Sequence, residues 1–322
     1  MKLRRLLLTG LLGLSIALAG VACEGNKKEG DKASPSPAAQ QSPAVKLSGE
    51  INIDGSSTVY PITSAIGEEF SKNNTDVKVS VAYAGTGGGF KKFYANQIDI
   101  CDASRPIKQE EIDKCKENGI EYTEFMVAYD GLSVVVNKQN TWCTSLTVDQ
   151  LKAMWQPDSK IKTWKDIDPS WPDEQIKFYA PGTDSGTFEY FTEEIVKKKG
   201  AIRTDITPSE DDNVLVTGVE NDKNAIAFFG FAYYEENKDR LNVVKVDSGE
   251  GPVEPAFETI KSNKYKPLSR PLFIYVNNKK MEEPHIKEFL KFYLTNAKKI
   301  VPEVGYVPLE DKDYQDQMSK IK

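Results

Sequence analysis

Gly182-Thr183-Asp184-Ser185-Gly186-Thr187 sets hydroxyls, a carboxylate and glycines side by side in one short stretch. It follows Ile176–Ala180, which alternates apolar and polar, and precedes Phe188, Phe191 and Ile195, which are spaced 3 and 4. The pattern reads as strand, polar turn, helix. Such a turn points unpaired backbone N–H groups and hydroxyls at one place beside the positive end of a helix dipole. That is chemistry for holding an anion without bonding to it. Gly55-Ser56-Ser57-Thr58 repeats the grammar, with Ile51-Asn52-Ile53 before it and Val59, Ile62 and Ile66 after it. Two such units suit two lobes that present helix N-termini to one ligand. Two ordinary capped α/β helices would have the same spacing.

Two more strand ends share this character. Val77, Val79, Val81 and Tyr83 alternate as a strand that runs into Gly85-Thr86-Gly87-Gly88-Gly89-Phe90, ahead of a helical stretch at 91–96. Glycines such as Gly87 let the backbone approach a ligand closely, and the missing Gly-Lys-Ser/Thr separates the turn from a P-loop. A short strand at 97–101 leads to Asp102-Ala103-Ser104-Arg105-Pro106, where Arg105 is a cation at a hydroxyl-rich strand end.

The elements that must position these residues alternate as β and α with one break. A helix at 108–118 is stopped by Gly119; strands at 122–127 and 130–137 then follow with no helix between them, as at a crossing between lobes. Further on come a helix at 147–155, a loop holding Trp164 and Trp171, a capped helix at 211–219, and strands at 225–230 and 241–246. Leu272–Asn277 resembles Leu132–Asn137 and is expected to be the return crossing. Ile286, Phe289, Leu290, Tyr293 and Leu294 mark a closing amphipathic helix.

The 322 residues suffice for two domains, and a formal net charge of −6 argues against a nucleic-acid protein. The one histidine, His285, opens the last helix in a polar segment and is expected at the surface. With no second histidine, a His-rich zinc site or a Ser-His-Asp triad is hard to assemble, and neither metal nor cofactor is expected. Beyond Cys23 stand Cys101, Cys115 and Cys143, none in Cys-x-x-Cys spacing. Cys101 ends a strand expected to be buried, so the pairing anticipated outside the cytoplasm is Cys115–Cys143.

Met1–Arg5 is basic and Leu6–Val21 almost wholly apolar, the layout of a secretory signal. Cys23 behind small residues resembles a bacterial lipoprotein signal, although Gly20 stands where an aliphatic residue is usual. Residues 1–22 are therefore expected to be removed and Cys23 lipidated. Residues 24–46 have no aromatic and carry Ser34-Pro35-Ser36-Pro37, which suits a flexible tether spanning roughly 25 Å as a coil. The folded part would work at a membrane surface in the cell envelope.

Taken together, Gly55–Pro61, Gly85–Phe90, Asp102–Pro106 and Gly182–Thr187 occur in an order that resembles the PstS family, the phosphate-binding proteins of bacterial phosphate ABC transporters, close to its cyanobacterial-type branch. The resemblance covers roughly residues 47–310 and includes Val304–Pro308. It implies an α/β, two-lobed, type 2 periplasmic-binding-protein fold, each lobe a mostly parallel sheet flanked by helices, joined by a two-strand hinge. Lobe 1 would comprise 47–129 and 270–322, and lobe 2 residues 130–269. It also implies a monomer that captures phosphate and hands it to membrane permease subunits, without catalysis.

Carried over by motif, Ser57, Thr58 and the Val59 amide would bind phosphate, with Thr86 in place of a serine and Gly87 beside it, and Ser185, Gly186 and Thr187 from the second lobe. Ser104 stands where the enterobacterial type has an aspartate, and Pro181 where it has an arginine. Arg105 is then the natural source of positive charge. Asp184, with Asp102 in reserve, would be the carboxylate that reads the ligand's proton. The competing readings are a binder of sulfate or molybdate on the same scaffold and a secreted phosphatase-like enzyme. The second lacks a histidine base and has Gly182-x-x-Ser185 in place of Gly-x-Ser-x-Gly.

Overall fold

The computed structural model describes residues 46–321. The signal segment, Cys23 and nearly all of the tether lie outside the described residues.

The first half alternates as expected. β1 (Gly49–Gly55) leads to α1 (Tyr60–Asn73), β2 (Val77–Val81) to α2 (Thr86–Tyr94), and β3 (Ile100–Ala103) to α3 (Gln109–Glu117). β1 pairs in parallel with β2 on one side and β3 on the other, so their C-terminal ends open on the same edge. Ligands in open α/β sheets bind at that edge. The helix expected at 91–96 starts earlier, at Thr86, because its glycines are part of the helix. Gly89 has a packing reason to be there: a Cβ on it would lie 2.5 Å from Gly55 Cα and 2.9 Å from Cys101 Sγ. The low helix propensity of glycine hid the first turn.

β4 (Tyr122–Asn137) is one strand of 16 residues, where two were expected. Its residues Tyr122–Gly131 pair antiparallel with a later strand of the first half, and Leu132–Asn137 pair with strands of the second. The second half then runs β5 (Ser145–Thr147), α4 (Val148–Trp155), β6 (Lys177–Pro181), α5 (Gly186–Phe191), β7 (Ile206–Ser209), α6 (Asp212–Asn221) and β8 (Ala225–Gly230). It continues through α7 (Phe231–Asn237), β9 (Leu241–Asp247), β10 (Pro252–Val253) and α8 (Phe257–Lys261). A π-helical turn at Thr192–Val196 extends α5. β6 pairs in parallel with β7 and β8.

The chain returns through β11 (Ser269–Asn277), α9 (Asn278–Met281), α10 (Pro284–Glu303), β12 (Val307–Pro308) and α11 (Asp311–Met318). Leu272–Asn277 is not itself the crossing. It pairs with β4 and β3 inside the first half, and the crossing lies just before it, where Leu132 N donates to Leu268 O at 3.0 Å and Ser269 faces Gly131. The path of the sheet is β2-β1-β3-β11-β4-β8-β6-β7. The largest apolar cluster takes residues from both halves, from Ile51 and Phe125 to Phe178, Phe228 and Phe289. Trp164 is fully buried in it, so the Trp-rich loop serves packing.

Two expectations are corrected. His285 is buried: its ring fills the space over Gly49, with Nε2 3.2 Å from the Glu50 carbonyl. Glu282 is exposed, while Glu283 keeps a carboxylate oxygen 3.5 Å from His285 Nε2 and α10 turns His285 inward with Ile286. Cys115 and Cys143 form no bridge. All three cysteines are buried free thiols, Cys115 in a small cluster with Phe90, Phe93 and Cys101, Cys143 in the main core of the other half.

Candidate functional site

The same local device starts a helix in each half. Ser56 Oγ accepts from the amides of Thr58 at 3.2 Å and Val59 at 3.4 Å. Ser185 Oγ accepts from Thr187 at 3.2 Å and Phe188 at 3.4 Å. These serines satisfy helix amides that would otherwise be orphaned. The two helix starts touch: a Cβ on Gly186 would lie 2.8 Å from Thr58 Cα and 3.2 Å from Ser57 O. Only glycine lets the halves meet there.

This contact separates two cavities. The larger, about 640 Å³, is lined by Ser57, Thr58, Thr86, Gly87, Ser104 and Arg105 from the sequence-derived set. The smaller, about 410 Å³, is lined by Asp184, Ser185, Gly186 and Thr187, and Ser57 borders both. Val59 lines neither; it is fully buried, and its amide already serves Ser56. Asp184 is exposed and shares its cavity with Glu210 and Asp212. The Asp212 carboxyl there is pushed up to about 7 by burial and by Asp211 and Glu210. Asp102 is fully buried beneath the larger cavity, where it accepts from Thr63 Oγ1 at 3.0 Å. Burial and the neighbouring Asp54 push its carboxyl well above the usual range, against the pull of Thr63.

Within the larger cavity the hydroxyls are pre-positioned. Thr86 Oγ1 lies 3.1 Å from Ser104 Oγ and accepts from Ser104 N at 3.2 Å, tying the glycine turn to the end of β3. Arg105 is held by Glu111: Nη1 donates to Oε2 at 2.9 Å and Nη2 to Oε1 at 2.8 Å, while Nη1 also reaches Pro106 O at 3.1 Å. Burial works to raise the Glu111 carboxyl, but the Arg105 fork and the Lys108 amide outweigh it and hold it below its ordinary value. Arg105 thus brings an oriented guanidinium whose terminal nitrogens are largely committed.

The cavity holds a second arginine that the motifs did not single out. Arg270 Nη2 donates to Thr58 Oγ1 at 2.9 Å and lies 3.2 Å from Asp130 Oδ2, and the guanidinium stacks 3.5 Å over the Tyr190 ring. Tyr190 in turn donates to Pro267 O at 2.7 Å. Arg270 Nη1 makes no hydrogen bond among the described residues. One sequence signal was available: Ser104-Arg105-Pro106 recurs as Ser269-Arg270-Pro271. The register of Phe273 with Ala103 sets the two tripeptides side by side at one edge of the sheet. Lys108, Lys199 and Lys266 add positive charge, and Glu189, Glu193 and Glu194 line the same cavity. Hydroxyls and guanidinium groups converging between two halves can hold a tetrahedral oxyanion by several charge-assisted bonds. Among the described residues no group of three or more His, Cys, Asp or Glu could hold a metal ion.

Residues 33–297 match the model of a PBP superfamily domain. Protein SphX of Synechocystis sp. is 48% identical over 272 residues, covering 84% of this chain and 81% of that protein. The phosphate-binding protein PstS of Staphylococcus saprophyticus is 41% identical over 323 residues, covering 100% of this chain and 95% of that one. Among solved structures, a possible phosphate binding protein from Planctomyces limnophilus superposes with a TM-score of 0.81 at 45% identity, covering 85% of this chain and 99% of that one.

Proposed function

We propose that this chain, which belongs to the PBP superfamily and within it to the family of the PstS phosphate-binding proteins, captures inorganic phosphate between its two halves and delivers it to an ABC permease. The observation that carries the reading is the larger cavity. There Ser57, Thr58, Thr86 and Ser104 converge with Arg105 and Arg270, and Arg270 touches elements of both halves. Each charge-assisted bond to a phosphate oxygen contributes about 1.5–3 kcal/mol, so a few of them suffice for tight capture. Ser185, Gly186 and Thr187 line the neighbouring smaller cavity and meet the site only through the contact of Gly186 with Thr58 and Ser57. We take the lobes to be 47–129 plus 270–322 and 130–269; the change of partners along β4 between Gly131 and Leu132 supports a division near those bounds, one or two residues further along the chain.

The residues converging there bind rather than react, so the protein acts as a carrier and not as an enzyme. No helix among the described residues is long and apolar enough to cross a membrane. Cys23, lipidated after removal of 1–22, anchors the folded part to the membrane through the tether. The protein works as a monomer on the outer face of that membrane. Replacing Cys23 by serine releases it from membrane fractions; retention of the processed variant there would refute the anchor.

The test of the function is titration calorimetry of the mature protein with phosphate, sulfate and molybdate, beside an assay for phosphate release from an ester. Selective phosphate binding without ester cleavage is expected. Tighter binding of sulfate or molybdate would reassign the ligand, and turnover of the ester would make the chain an enzyme.

A further inference from the structure

The smaller cavity has the opposite charge character from the larger one. Asp184, Glu210 and Asp212 line it, and among the described residues no lysine or arginine does. None of the three carboxylates forms an ion pair among those residues. Glu210 Oε1 accepts from the Asp184 amide at 3.3 Å and lies against Gly182, where a Cβ would meet it. Asp212 shows the crowding: burial, then Asp211 and Glu210, push its carboxyl up to about 7.

The rest of the wall is aromatic. Tyr60 and Tyr83 come from the first half and meet edge to face, with ring centroids 4.9 Å apart. Tyr233 comes from α7 and packs on Gly305, where a Cβ would lie 2.8 Å from its ring. Tyr306 is only 7% exposed, lines the same cavity, and has a hydroxyl with no hydrogen-bond partner among the described residues. A buried tyrosine hydroxyl usually finds a partner. One left open on a cavity wall is a polar contact for whatever enters.

We infer that the smaller cavity binds an organic cation through its N–H groups, a guanidinium or a primary ammonium. Ionised carboxylates only accept hydrogen bonds, so the ligand must donate. A guanidinium or ammonium brings several N–H donors, and its charge offsets that of the three carboxylates. Tyrosine rings attract such cations, and Tyr306 Oη can accept one of the N–H groups. A bare metal ion does not fit, since among the described residues no group of three or more His, Cys, Asp or Glu could hold one. The volume of about 410 Å³ falls within the roughly 300–1,000 Å³ usual for small-molecule sites. The same head groups occur on free amines and on the arginine and lysine side chains of a docking protein. No residue proposed to hold phosphate in the larger cavity takes part.

The test is titration calorimetry of the mature protein with agmatine, N-acetyl-arginine amide and N-acetyl-citrulline amide, the last an uncharged match for the second. Both cations are expected to bind and the citrulline compound is not. Glu210→Gln, at an exposed position, should weaken both cations about tenfold, the effect of losing one hydrogen bond to a charged group. Tyr306→Phe removes a hydroxyl without a protein partner, so it should weaken them about threefold and leave the fold intact. Glu282→Gln removes the same charge from an exposed position outside the cavity and should change nothing. Equal weakening in Glu210→Gln and Glu282→Gln would reduce the effect to the net charge of the chain and overturn the inference. So would a citrulline compound that binds as tightly as its arginine counterpart, or two cations that fail to bind at millimolar concentration. Tighter binding of agmatine would point to a free amine as the ligand, and tighter binding of N-acetyl-arginine amide to a protein side chain; either supports the site.

Discussion

Arg270 and Asp130 are direct cross-strand partners at the crossing between the halves, with Nη2 3.2 Å from Oδ2 and the aspartate 1% exposed. Burial raises the Asp130 carboxyl and Arg270 draws it back. The pair orients a guanidinium toward Thr58 while leaving Nη1 for a ligand. Arg270→Ala should therefore have two effects. Phosphate affinity should fall by about 1.5–3 kcal/mol, and stability by roughly 3–5 kcal/mol because a buried carboxylate loses its counter-ion. Arg270→Ala with Asp130→Asn should recover much of the stability and none of the binding. Calorimetry and denaturant titration on both variants separate the effects; a double mutant that binds like wild type would remove Arg270 from the site.

Arg105 is fixed by a bidentate pair with Glu111. Arg105→Ala is expected to weaken phosphate binding by about 1.5–3 kcal/mol. Glu111→Gln leaves the cation but loosens its aim, so a smaller loss of about 1 kcal/mol is expected. Equal losses in both would mean that the ion pair, rather than the guanidinium, is what the site needs. Binding within a factor of two of wild type in Arg105→Ala would make the residue plain surface charge.

Gly186 permits the close approach of the second helix start to Thr58. Gly186→Ala puts a methyl into that contact and should hold the halves apart. Phosphate affinity is expected to fall about tenfold or more, since the ligand must bridge a wider gap. The midpoint of thermal unfolding should fall as well, because Gly186 is buried and the methyl meets backbone atoms of Ser57 and Thr58. Wild-type affinity in the variant would show that the touching geometry is not used in binding.

Asp212 supplies a pH dependence. Its folded-state carboxyl is raised to about 7 by burial and by Asp211 and Glu210, above the unfolded value of about 3.9. A raised folded value means that the native state holds the proton more tightly. The associated stability is present below the unfolded value and is lost as pH rises through about 7. The difference in unfolding free energy between Asp212→Asn and wild type should thus shift in the mutant's favour by about 1 kcal/mol or more from pH 5 to pH 8. A constant difference across that range would show that Asp212 titrates normally.

Most of this architecture was legible because it rests on local rules. Strands with period 2, helices with period 3.6 and the capped helix that starts at Asp211 appear where their patterns put them. What escaped notice depends on tertiary contacts. The first turn of α2 was hidden because Gly89 is selected by packing against β1, against its propensity. Short pairings such as β5, β10 and β12 have too few residues to show a period. In the cleft, the hydroxyl turns could be read from their motifs. The place of Arg270 in the cavity could not, because it comes from a cross-strand register. Only the repeated Ser-Arg-Pro pointed to it.

β4 carries a consequence for how the protein comes apart. Phe125 and Val127 on one side of the crossing and Val134 and Val136 on the other belong to the same buried cluster. Neither half therefore owns a complete core, and each would expose apolar surface if cut away at Gly131. The expectation is a single cooperative transition, in which the two halves lose structure together. A chain built this way has a cleft between two halves of which neither is a separately meltable domain.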